Sequence, residues 1–170
     1  VDRCALQGVD GPGLEVAGTV EAIGPDTSAP PPGSRVAAFL GAGGLAEAVI
    51  APVSRLLPLP EAVPYDHAAA FPIAYGTSHL ALDHKARLQP GETLLVLGAA
   101  GGVGLTAVEI GKRMGARVIA SARGAEKLAV AQAAGADHLI DSDAPELKAA
   151  LKALGGVDVV YDAVGGPAFD

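Results

Sequence analysis

The chain has 170 residues, of which 50% are hydrophobic and 18% charged, with a mean hydropathy of +0.37; that is enough apolar material for a packed core and too little charge for a disordered tail. Twelve Lys and Arg against nineteen Asp and Glu give a net charge of -7 and a pI near 5.0, so no basic surface is available for phosphate backbones or anionic lipid, and no nucleic-acid partner is expected. The one cysteine, Cys4, rules out an internal disulfide or a Cys-rich zinc site and fits a reducing cytoplasm.

Residues 1 to about 60 carry short β-like runs broken by turn clusters. Glu15 to Ile23 alternates loosely, Gly24 to Gly33 is a loop with Pro25, Pro30, Pro31 and Pro32, and Arg35 to Leu40 and Leu45 to Ala51 read as two further strands. This half predicts a small, irregular β domain. Over residues 65 to 85, Ala68, Ala69, Phe71, Leu80, Leu82 and Ala86 are spaced for one or two helices ahead of the turn Pro90-Gly91, which marks a junction between domains.

From Thr93 onward strands and helices alternate. Thr93 to Leu97 is apolar on both faces, as a central parallel strand should be. Gly102 to Met114 reads as a helix with Val103, Ala107, Ile110 and Met114 on one side and Gly115 placed to end it. Next come a strand at Arg117 to Ala120, a helix at Ala125 to Ala134 closed by Gly135, a strand at His138 to Ile140, a helix from about Pro145 to Leu154, and a strand at Val157 to Tyr161. Four such steps imply an α/β fold with a parallel, right-handed, doubly wound sheet. Thr93 to Val108 is uncharged, but Gly98, Gly101, Gly102 and Gly104 interrupt it and Glu109 ends it, short of the roughly 20 residues a bilayer requires, so no membrane span is expected. The chain begins at Val1 and stops just past a turn at Asp170, and we expect a longer parent polypeptide.

Between the first of these strands and its helix lies Gly98-Ala99-Ala100-Gly101-Gly102-Val103-Gly104. It has the dinucleotide spacing with Ala99 in the first glycine's place, followed by Gly101 and Gly104. Gly101 would admit a pyrophosphate to backbone N–H groups at the helix N-terminus, and Gly104 would let the helix pack closely on the strand. Alone the motif is weak; after a doubly apolar strand and at the head of an amphipathic helix it predicts a dinucleotide site formed by Ala99, Ala100, Gly101, Gly102, Val103 and Gly104. An NAD site needs a carboxylate at the end of the second strand to accept from the ribose 2′-hydroxyl. Ser121-Ala122-Arg123 stands there instead. With no acid to repel a 2′-phosphate and Arg123 able to pair with it, NADPH (NADP) is the expected cofactor. Lys112 and Lys127 either add positive charge to that site or are solvated helix-surface cations. In a sheet ordered 3-2-1-4, Asp162 and the residues to Gly166 border the same crevice, Asp162 serving either there or as a cap on the next helix.

The run Leu94 to Ala116 (LLVLGAAGGVGLTAVEIGKRMGA), with Pro12 to Gly18 upstream and Gly155 to Asp162 downstream, resembles the medium-chain dehydrogenase/reductases, and most of all their zinc-free quinone oxidoreductase, zeta-crystallin-like branch. The resemblance implies part of a GroES-like β domain, with its linking helix, over residues 1–72, and a partial Rossmann doubly wound parallel sheet over residues 73–170. It implies an alcohol dehydrogenase-like oxidoreductase that is homodimeric when full-length, and it assigns Thr77 to the nicotinamide end of the cofactor; without the resemblance Thr77 is an ordinary helix threonine. Zinc-dependent relatives place a histidine and a cysteine where this chain has Leu14 and Ile73. Neither side chain binds metal, so no metal site is expected, and His67, His79, His84 and His138 are scattered.

A site without a Lewis acid should act on an acceptor that is already electrophilic. Quinones and α,β-unsaturated carbonyls qualify, because hydride addition yields a delocalised oxyanion that solvent protonates, leaving the protein to align donor and acceptor and exclude water. Tyr75 is either an acid or wall residue or simply packing, and no catalytic residue is singled out. Three functions remain open: an NADPH-dependent quinone or enone reductase, an enoyl-thioester reductase either free or in a synthase, and a nucleotide-binding protein without turnover.

Overall fold

The computed structural model describes residues 3–4, 12–143 and 147–166. The chain forms two compact units, Val1–Ile73 and Ala74–Asp170. In the first, β1 (Arg3–Cys4) pairs antiparallel with β4 (Ala51–Pro52), and β2 (Glu15–Thr19), β3 (Arg35–Phe39) and β5 (Leu56–Pro58) form an antiparallel sheet in the order β2-β3-β5. Its small core gathers Val20 and Val36 with Ile23 and Leu56. Leu45 to Ala51, expected as a strand, is instead a run of bends up to Ala51. Gly41 and Gly43 turn the chain at φ of 88° and 78°, and the N–H groups of Gly44 and Leu45 go to the carbonyls of Gly13 and Pro12, so no regular ladder forms.

Helix α1 (Tyr65–His79) runs through the division between the units and carries Pro72, which has no N–H to give. The next N–H, that of Ile73, donates to Glu15 Oε2 at 2.8 Å. A π-helical turn, Leu80–Lys85, continues α1, closed by Ala86 N–H donating to Ala81 O at 2.8 Å. The sequence spacing anticipates the helix and not this widened turn.

The second unit follows the expected order. β6 (Thr93–Leu97) is buried at every position, with Leu94 and Val96 at 0% exposure, each contributing about 1.5–3 kcal/mol by leaving water. α2 (Gly102–Arg113), β7 (Arg117–Ala122), α3 (Ala125–Ala133), β8 (His138–Asp141), α4 (Leu147–Ala153) and β9 (Val159–Asp162) complete it. All pairings are parallel in the order β8-β7-β6-β9, which is the 3-2-1-4 arrangement expected for a partial Rossmann sheet. Successive side chains point to opposite faces. Leu94, Val96, Val118 and Ala120 therefore pack with Ala107, Val108 and Ala131 of α2 and α3, while Leu95, Leu97, Ile119 and Ile140 pack with Leu147, Ala150 and Leu151 of α4. The buried residues of α2 are Gly104, Thr106, Ala107, Val108 and Gly111; Val103, Ile110 and Met114 are only partly buried. Pro145, named as the start of α4, lies outside the described residues. Among the described residues no helix is long and apolar enough to cross a membrane.

Candidate functional site

Where β6 ends, Gly98 adopts φ 70°, a conformation that favours glycine, and the chain reverses into α2. Gly101 N–H donates to Gly98 O at 2.9 Å and Ala99 N–H to Ser121 O at 3.0 Å, which fixes the turn onto β7. Gly101 is the N-cap (φ −81°, ψ 167°), no side chain among the described residues caps the helix, and its first internal bond is Leu105 N–H to Gly101 O at 2.7 Å. The N–H groups of Gly102, Val103 and Gly104 precede that bond and have no acceptor within the helix, so α2 opens with three donors at its positive end for which no partner is found among the described residues.

The three glycines differ in what they do. A Cβ on Gly104 would run into the carbonyl of Gly98, so glycine there is demanded by the packing of α2 on its own turn. At Gly101 a Cβ would meet only Gly98 O, at 3.3 Å, and at Gly102 nothing within 4 Å. The bare space at Gly101 is the floor of a cavity of about 490 Å³.

That cavity lies along the carboxyl ends of the parallel strands. Ala100, Gly101, Val103 and Gly104 form one side, and Ser121, Ala122 and Arg123, from the end of β7, form another. Ser142 and Leu147 follow β8, and Ala163 and Val164 follow β9. Among the described residues the charged side chains lining it are Arg123 and Lys127. An uncapped helix start, a small-residue floor and two cations at the far rim fit a diphosphate-linked nucleotide, the diphosphate on the helix amides and a ribose phosphate at Arg123.

The structure distributes the sequence-selected residues unevenly. Ala100, Gly101, Val103, Gly104, Ser121 and Arg123 line the cavity. Ala99 is fully buried beneath it with its N–H engaged by Ser121, and Gly102 faces open space. Lys112 sits near the opposite end of α2, where its Nζ donates to both oxygens of Asp137 at 2.7 and 2.8 Å. Burial of Asp137 opposes ionisation, but Lys112 and the Val118 N–H together hold its carboxyl below the ordinary value. Asp162 caps the turn after β9: its Oδ1 accepts from Gly165 and Val164 N–H, both at 2.8 Å, which hold its carboxyl below the usual range, and the neighbouring Ala163 and Val164 reach the cavity. Thr77 is exposed on α1 and does not line the cavity.

Beside Thr77, Ser78 is fully buried. Its hydroxyl lies 2.7 Å from Val103 O, 2.8 Å from Thr106 Oγ1 and 3.1 Å from Tyr161 OH, joining α1, the first turn of α2 and β9. Sequence reasoning passed over Ser78, as it did Ser142 and Leu147, while Ala163 and Val164 fall in the stretch after the fourth strand that it expected at the crevice. Ser142 and Leu147 follow the end of β8, where the crevice rule for open sheets points; nothing local marks Ser78. Tyr75 donates to Glu109 Oε2 at 2.6 Å, a bond that with burial raises the phenol above its ordinary value. Leu14 is half-exposed, and among the described residues no group of three or more His, Cys, Asp or Glu could hold a metal ion.

Residues 7–61 match the alcohol dehydrogenase GroES-like domain and residues 102–170 the zinc-binding dehydrogenase family. Quinone oxidoreductase-like protein 2 of Bos taurus is 41% identical over 162 residues, covering 93% of this chain and 46% of that protein. The quinone oxidoreductase of Thermus thermophilus, solved also in complex with NADPH, superposes with a TM-score of 0.80 at 41% identity over 92% of this chain and 48% of its own. The CurK enoyl reductase gives a TM-score of 0.84 at 31% identity over 92% of this chain and 48% of its own. The chain thus spans about half the length of these relatives. With both domain matches, the parallel sheet and the glycine turn in agreement, the chain belongs to the medium-chain dehydrogenase/reductase superfamily, with quinone oxidoreductase-like proteins among its relatives.

Proposed function

We propose that the chain is part of an NADPH-dependent oxidoreductase that delivers hydride to a quinone or an α,β-unsaturated carbonyl without a catalytic metal. The observation that carries this reading is the cavity over Gly101, with the first amides of α2 on one side and, among the described residues, Arg123 and Lys127 as the charged side chains on its wall. When bound, the reduced nicotinamide supplies the hydride. The amides of Gly102, Val103 and Gly104 hold the diphosphate, and Arg123, with Lys127 beside it, takes the 2′-phosphate. Ala99 and Ser121 keep the turn in place beneath it through their backbone bond. Thr77, which lies outside the cavity, is given the nicotinamide end on the family resemblance alone. Zinc independence rests on Leu14 and Ile73, whose side chains offer no lone pair to a metal. A small electrophilic substrate, a homodimer in the full-length protein and a cytoplasmic setting complete the proposal.

The enoyl reductase similarity favours a second reading, reduction of an enoyl thioester, since hydride addition to a conjugated carbonyl is the same chemistry on a different carrier. One assay separates the alternatives. NADPH oxidation is followed at the reduced-nicotinamide band in the presence of a quinone, a simple enone or an enoyl thioester. The proposal expects turnover with the first two and little with the third. Selective use of the thioester supports the second reading, and NADPH binding without oxidation contradicts both.

A further inference from the structure

We propose that Asp143 is a specificity-determining residue: its carboxylate offsets the charge of Arg123 and so restrains the preference of the site for a nucleotide that carries a 2′-phosphate over one that does not. The inference rests on the cofactor reading above and refines it.

Arg123 Nε donates to Asp143 Oδ1 at 3.0 Å, with both side chains largely exposed. A second carboxylate fixes that pairing. Asp141 Oδ1 accepts the N–H of Asp143 at 3.0 Å while its Oδ2 accepts the N–H of Gly124 at 3.2 Å. Asp141 therefore ties the segment leaving β8 to the segment leaving β7 and holds Asp143 across from Arg123. The rim that presents cations Arg123 and Lys127 to the cavity is thus matched by anions Asp141 and Asp143 just outside it.

Only Nε of the guanidinium is engaged by Asp143, and no other bond to Arg123 is found among the described residues. A 2′-phosphate can take the two terminal nitrogens with Asp143 still in place. The phosphate and carboxylate then share one cation, and their mutual repulsion weakens binding of the phosphorylated nucleotide alone. A ribose 2′-hydroxyl carries no charge and feels little of this. Both groups stand in water, so the effect is modest and is screened by salt.

The test compares dissociation constants for NADPH and NADH, read from nicotinamide fluorescence, in the wild-type chain and in Asp143→Asn and Asp143→Ser. The ratio of the NADH to the NADPH constant is expected to rise about three- to tenfold in both variants at about 0.05 M salt, and the gain should shrink at about 0.5 M. A ratio that stays level or falls in both variants, while wild type binds NADPH, overturns this inference and leaves the cofactor reading standing. A fall in both would mean that Asp143 serves to hold Arg123 in position. If wild type binds neither nucleotide, the cofactor reading fails and this inference with it.

Discussion

Gly101 and Gly104, in one turn, have separate physical reasons, and the separation is testable. Gly104 is required by the fold, because any side chain there collides with the carbonyl of Gly98. Gly101 sits at an N-cap whose extended φ and ψ suit any residue, and its Cβ would be nearly accommodated. Gly101→Val should therefore leave the chain folded, changing stability by no more than about 1 kcal/mol, yet abolish NADPH binding by filling the place of the diphosphate. Gly104→Ala should cost about 3 kcal/mol or more, as forced overpacking does. Thermal melts with NADPH titration of each variant distinguish the two roles; unchanged affinity in Gly101→Val would count against the site. At this scale the sequence was informative about backbone and poor about side chains. The glycine spacing, taken with the strand before it and the helix after it, picks out Gly101 and Gly104, and the end of the second strand picks out Arg123; all three line the cavity. Lys112 went to Asp137, 25 positions away, and only the packing of α2 beside the connection from α3 to β8 could reveal that partner.

At the scale of elements, the strands of the parallel sheet were legible because burial on both faces leaves an uninterrupted apolar run, as in Thr93–Leu97. Leu45 to Ala51 misled for the opposite reason: apolar residues there follow glycines whose positive φ angles direct the N–H groups to Pro12 and Gly13. The Lys112–Asp137 pair also acts between elements, since Asp137 Oδ2 accepts the N–H of Val118 at 2.7 Å and so binds α2, the turn before β8 and β7 together. The carboxyl of Asp137 is lower in the folded chain than in the unfolded one. Its contribution is complete above the unfolded value of about 4 and is lost as pH falls through the folded value. Asp137→Asn should lower stability by about 1 kcal/mol at neutral pH, a figure already reduced for its partial exposure. Urea unfolding at about pH 7 and about pH 3 should show the gap between variant and wild type closing in acid; a gap independent of pH would show that ionisation of Asp137 contributes nothing.

At the scale of the whole molecule, the order β8-β7-β6-β9 brings the ends of four strands together, and that arrangement turns a glycine-rich turn into a cavity bordered by residues from positions 97 to 164. The strand order was readable from the alternation of strands and helices, and with it the stretch beyond β9 that holds Ala163 and Val164, whereas Ser142 and Leu147 beyond β8 were not, since their place depends on where the turn after that strand leads. The central claim is that the free amides at the head of α2 bind the diphosphate of NADPH, with Arg123 on the 2′-phosphate. A crystal structure of the chain grown with NADPH tests it most directly. The account predicts diphosphate oxygens within hydrogen-bonding distance of the Val103 and Gly104 N–H groups and the 2′-phosphate against the Arg123 guanidinium; coenzyme bound elsewhere, or a bare turn at Gly101 at saturating NADPH, would contradict it.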